Sequence, residues 1–152
     1  MKRKMFMLAV CALVASCDGA SSSYTGSYVG GDNSALIQLE LVDSGEGQLN
    51  GTIAVSQLDF EGGKLETTVK SVTGAKDGDQ LSLLAHSNSF GARNSPLSMQ
   101  AQGNSLIWKV PMNGMTIELV KADQAAYRER LIAFENQLHG TDAGMIDWDN
   151  VD

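Results

Sequence analysis

The stretch "ALIQLELVD", Ala35 to Asp43, decides the fold class. Ala35, Ile37, Leu39 and Leu41 share one parity, while Gln38 and Glu40 take the other. Period-two alternation places the apolar set on one face of a strand and the polar set on the opposite face. The same period continues down the chain. "GQLNGTIAVSQ" (47–57) offers Leu49, Ile53 and Val55 inward, against Asn50, Thr52 and Ser56. "GKLETTVKSVT" (63–73) offers Leu65 and Val69, against Glu66, Thr68 and Lys70. "QLSLLAHS" (80–87) offers Leu81, Leu83 and Ala85, and "PLSMQAQ" (96–102) offers Leu97, Met99 and Ala101. "SLIWKVPM" (105–112) offers Leu106, Trp108 and Val110, and "GMTIELVKA" (114–122) offers Met115, Ile117 and Leu119. With "YTGSYVG" (24–30) in front, these make eight candidate strands.

The connections between them carry turn chemistry: "DSGEG", "FEGG", "AKDGD", "QGN" and "MNG". Glycine and asparagine supply positive φ at small steric cost, and Asn113–Gly114 is the strongest hairpin signal of the set. Short strands spaced mostly ~8–15 residues apart and joined this way predict an antiparallel meander closing as a barrel or sandwich. One connection, "HSNSFGARNSP" (86–96), is long enough to serve as a flap or a binding loop. A helix follows in "ADQAAYRERLIAFENQLHG" (122–140). Asp123 is placed to cap its start and Gly140 to end it. Tyr127, Leu131, Phe134 and Leu138 form one apolar stripe, for which the barrel wall is the available partner. The expected organisation is all-β with one helix: a signal peptide over 1–16, a flexible tether over 17–23, a barrel over 24–121, a packed helix over 122–140 and an acidic tail over 141–152.

The N-terminus locates the protein. Lys2, Arg3 and Lys4 precede an apolar run from Met5 to Ala15, which is too short as a helix to cross a hydrocarbon core of about 30 Å. A basic head, a short apolar segment and small residues make a secretory signal peptide. Its end, "LVASC", resembles the lipobox of bacterial lipoproteins. The resemblance implies that the Cys17 thiol receives a diacylglycerol, that cleavage falls before Cys17, and that the new amino group is acylated. Two or more acyl chains anchor a protein stably where one does not. Asp18 in the following position implies, by enteric-type sorting, the inner membrane over the outer.

Charge narrows the partners. The chain carries −7, and losing the three basic residues of the head, with no acid, leaves −10. Such a body is repelled by phosphate backbones and anionic head groups, so nucleic acid is not an expected partner and membrane contact falls to the lipid. Cys11 leaves with the signal and Cys17 is blocked by lipid, so no disulfide is expected and stability must come from an ordinary core.

The meander with a C-terminal helix resembles the lipocalin and avidin-type barrels over roughly 24–138, though the "GxW" start of lipocalins is "GSY" here and Trp108 alone stands in for the tryptophans of a biotin site. A second resemblance lies in "SNSFGARNSP" followed by "LIWKVPMNG". Membrane-bound inhibitors of c-type lysozyme carry a serine-rich "SGSGARY"-like loop and a "W-x-K-G"-like strand end, and their serine and lysine occupy the enzyme's catalytic carboxylates. The resemblance would give Ser87, Ser89 and Lys109 that role, with Trp108 beside them. A lysine and a hydroxyl suit buried carboxylates. Asn94 stands where that family has tyrosine, no glycine follows Lys109, and the family's disulfide is missing.

No catalytic set emerges. His86 and His139 lack partners at zinc-ligand spacing, no "GxSxG" elbow occurs, and Asp77 with Asp79 and Glu61 with Glu66 fall on turns or polar faces, where acids solvate the surface. The tail "DWDNVD" has oxygen ligands but neither the glycine nor the distal glutamate of an EF-hand loop. No cofactor, metal or catalysis is expected. The leading reading is a lipid-anchored binding or interaction module of the periplasm. The alternatives are an inhibitor or immunity protein against a cell-wall hydrolase, or a structural accessory of an envelope complex. A connected cavity near ~300 Å³ or more would favour a small apolar ligand.

Overall fold

Consecutive strands joined without a crossover run antiparallel, and here every neighbouring pair does so, all the way around. The structure, a computed structural model, describes residues 23–89, 92–111 and 114–142. Eight strands, β1 (Gly26–Gly31), β2 (Ala35–Gly45), β3 (Gln48–Asp59), β4 (Lys64–Asp77), β5 (Gln80–Ala85), β6 (Ser95–Gln102), β7 (Ser105–Lys109) and β8 (Thr116–Lys121), pair in sequence order and close as a barrel. One helix, α1 (Gln124–Asp142), follows. Barrel and helix match the expected fold class. Cys17, Asp18, most of the tether, Asn113 and the tail beyond Asp142 lie outside the described residues, as does the His139 side chain.

The β2–β3 turn shows how local chemistry sets the register. Gly45 pairs with Gln48, leaving Glu46 (φ 52°) and Gly47 (φ 77°) as the two central residues. Both are left-handed, as in the primed turns whose twist matches that of the flanking strands. The seam between β1 and β8 is short: Tyr28, Val29 and Gly30 pair with Lys121, Val120 and Leu119. Gly30 is required there, because a Cβ would sit 2.0 Å from the Glu118 carbonyl oxygen.

Strands alternate in direction, so the connections after β2, β4 and β6 gather at one end together with Tyr24. Those after β1, β3, β5 and β7 gather at the other. The first end is closed. Leu41, Leu49, Leu81, Met99, Leu106 and Leu119 fill the interior with almost no exposure. Tyr24 plugs the floor, its hydroxyl 3.0 Å from the Gly78 carbonyl oxygen and 3.3 Å from Asp79 Oδ1. The Tyr28 hydroxyl donates to the Tyr24 carbonyl at 3.2 Å. Burial, with Tyr24 alongside, raises the Tyr28 phenol above its ordinary pKa. Lys76 and Asp43 complete the floor as an ion pair whose side chains are only 13% and 11% exposed. The lysine hydrogen bond, foremost, holds the Asp43 carboxyl below its ordinary 3.8.

The helix packs outside the barrel. Asp123 caps it, accepting from the Ala126 amide at 2.8 Å. The expected stripe is in place: Tyr127, Phe134 and Leu138 are buried, and Leu131 is half-buried against the same cluster. Tyr127 and Phe134 meet Val29 and Leu36 from the outer faces of β1 and β2, with Leu58 and Leu65 at the edge. Gln38 joins helix to wall through Ser27 Oγ at 3.2 Å and Gln124 Oε1 at 3.1 Å.

Three expectations are corrected. On β4 the faces are reversed. Val55 pairs with Thr68, Ile53 with Lys70 and Gly51 with Val72, so Thr68, Lys70 and Val72 point inward. Leu65 packs outside, with the helix cluster, and Val69 is half exposed. A one-residue difference in parity flips every side chain of a strand. Met115 precedes β8 and is 43% exposed instead of joining the core. The helix also runs through Gly140 to Asp142. Gly140 is not among the positive-φ glycines, so it does not form a left-handed cap.

Candidate functional site

The inward face that is tightly packed at the floor is not filled at the other end. There a cavity of about 610 Å³ opens at the barrel mouth, within the range of roughly 300–1,000 Å³ typical of small-molecule sites. Its wall is mostly apolar, built from Ile53, Val55, Leu97, Trp108, Val110 and Pro111. Each arrives by simple alternation: Ile53 and Val55 extend the Leu49 face of β3, Leu97 the Met99 face of β6, and Trp108 and Val110 the Leu106 face of β7. Ala85 at the end of β5 is small, which leaves the space open.

The polar groups of this wall lean one way. Lys70 and Arg93 both line it, with Gln57, Thr68, Asn94 and Ser95, and among the described residues no aspartate or glutamate does. Among the described residues neither cation is seen in an ion pair. The indole Nε1 of Trp108 is buried and finds no hydrogen-bond partner among the described residues. A second hollow, about 370 Å³, lies outside the wall between α1 and β1. It is shallow, and Asp32, Glu118 and Arg130 mix both charge signs along it.

The residues singled out from sequence divide between these surroundings. Trp108 is in the cavity wall. Lys109, next along β7, falls on the outer face and is exposed. Ser87 and Ser89 sit in the loop after β5, where the Ser87 amide donates to Asn94 Oδ1 at 3.1 Å and the Ser89 amide to Ser87 Oγ at 3.3 Å. No hydrogen bond between either serine and Lys109 occurs among the described residues. His86 lies on the outer face, its Nε2 2.7 Å from Thr73 Oγ1. Glu66 pairs with Lys64 at 2.7 Å on the exposed part of β4, which raises the Lys64 ammonium above its ordinary pKa. Asp79 neighbours the Tyr24 hydroxyl. Among the described residues no group of three His, Cys, Asp or Glu is arranged to hold a metal ion.

No family model, curated protein or solved structure matches the chain. The site is therefore read from its own chemistry.

Lys70 and Arg93 were not picked out by sequence reasoning. Lys70 was assigned to the outer face with the rest of its parity on β4. Counting back from the β3–β4 hairpin would have exposed the error, because Val55 faces inward and Thr68 must lie opposite it. Arg93 sits in the connection before β6, where alternation gives no signal.

Proposed function

We propose that this chain is a lipid-anchored protein of the cell envelope whose barrel binds a small, largely apolar molecule in its mouth, without catalysis. The cavity of about 610 Å³ carries this reading. Burial of apolar ligand surface at about 25 cal/mol per Å² drives such binding, and the few polar groups at the wall orient the guest. The N-terminal sequence supports the anchor at Cys17. The chain enters the barrel at Tyr24, on the floor, the end opposite the cavity. The inhibitor and accessory readings would rest on the outer surface, and the cavity offers no support for either.

The test is titration with the neutral fluorophore N-phenyl-1-naphthylamine. Wild type should show saturable fluorescence enhancement. Thr68→Phe and Ala85→Phe, each placing an aromatic ring in the cavity, should abolish it while retaining cooperative melting. Absence of saturable enhancement in wild type would sink the binding reading. The anchor is tested separately: Cys17→Ala should move the protein from the membrane to the soluble fraction.

A further inference from the structure

Two lysines stand on the inner face of the same strand and meet opposite surroundings. Lys76, at the floor, faces Asp43. Lys70, six residues nearer the mouth along β4, lines a wall to which no acid among the described residues contributes. Arg93 adds a second cation to that wall. This occurs in a chain with 18 acidic and 11 basic side chains, so the local sign is the reverse of the global one. Lysine and arginine N–H groups donate and do not accept. A ligand that satisfies both must bring acceptors, and a negative charge matches the two cations.

Resting on the binding reading above, we propose that the mouth selects amphipathic anions: an apolar body against Ile53, Val55, Leu97 and Trp108, and a carboxylate or phosphate-monoester head held by Lys70 and Arg93. Charge-assisted hydrogen bonds to such a head are the stronger kind. In partly desolvated surroundings a cation–anion pair is screened less by salt than one on the open surface. The apolar wall contributes affinity for any chain of suitable size. The cations contribute the choice among head groups.

The experiment is displacement of N-phenyl-1-naphthylamine from the full mature domain by a series of twelve-carbon amphiphiles kept as monomers: dodecanoate, monododecyl phosphate, dodecan-1-ol and dodecyltrimethylammonium. At least one of the two anions should displace the probe at about ten-fold lower concentration than the alcohol, the scale of one charge-assisted hydrogen bond. Whichever anion is tighter identifies the head group. The ammonium compound should be weakest. In Lys70→Met/Arg93→Gln, with cooperative melting retained, the anions should lose their advantage over the alcohol, each displacement being referred to the variant's own probe affinity. Equal displacement by anion and alcohol in wild type overturns the inference while leaving the binding reading intact. So does a preference for anions that survives in the double variant. Failure of the probe to bind wild type overturns both.

Discussion

The two ends of the barrel are built from the same alternating strands and differ in what their inner faces carry. At the floor, medium-sized aliphatic side chains meet across the interior, Tyr24 plugs the opening, and the inward Lys76 is paired with Asp43. At the mouth, Ala85 leaves space, and no acid among the described residues lines the wall beside Lys70. An eight-stranded barrel has an interior just wide enough to be filled by side chains or to hold one small ligand. Here side chains fill one end, and a cavity large enough for one small ligand opens at the other. Packing and open volume are thereby separated along the barrel axis.

Cavity-forming substitutions should show that separation most strongly. Leu81→Ala, at a fully buried position near the floor, should lower stability by about 3 kcal/mol, within the usual cost of truncating a packed leucine. Val55→Ala, at a half-buried position in the mouth, should cost less than about 1 kcal/mol, because the space beside it already exists. Urea denaturation of both variants measures the contrast, and equal losses would break it.

The floor ion pair gives a pH signature that the mouth cannot. The Asp43 carboxyl is held below its ordinary pKa of 3.8. A depressed carboxylate contributes stability above the unfolded pKa and loses it as pH falls through the folded value. Asp43→Asn should therefore melt below wild type at pH 7. The gap should narrow as pH drops below about 4, the ordinary carboxylate range. A gap that is constant with pH would remove the ion pair from the account of the floor.

The smallest effect belongs to the β2–β3 turn. Glu46 is a non-glycine residue in the left-handed region, a conformation that costs roughly 1–2 kcal/mol for side chains unable to support it. Glu46→Gly should raise stability by up to about 1 kcal/mol, read as a higher urea midpoint, and leave probe binding at the mouth unchanged. A change in probe affinity would show that the two ends are coupled.

Most of the architecture was legible in the sequence because alternation of apolar and polar residues is itself the sheet's geometry. β2, β3, β5, β6 and β7 all present the expected inner faces, and the helix buries the expected stripe. β4 misled for a physical reason. Its inner face carries Thr68, Lys70, Gly74 and Lys76, with Val72 as its buried aliphatic, while its outer face has Leu65 because the helix covers it there. An amphipathic strand touching both an open cavity and a helix inverts the rule that apolar residues face inward. The site was hidden by the same inversion. Trp108 could be singled out, but the Lys70 and Arg93 beside it became visible only once the register of β4 and the path of the connection before β6 were known.

The seam between β1 and β8 has only three residue pairs, and α1 begins immediately beyond it. The helix is joined to β8 by the chain and rests its stripe on Val29 and Leu36 of β1 and β2. It thus straddles the join like a clasp, attached covalently on one side and by packing on the other. To unzip the cylinder at its weakest edge, the molecule must also lift the helix. Local fraying at the join is thereby tied to global unfolding.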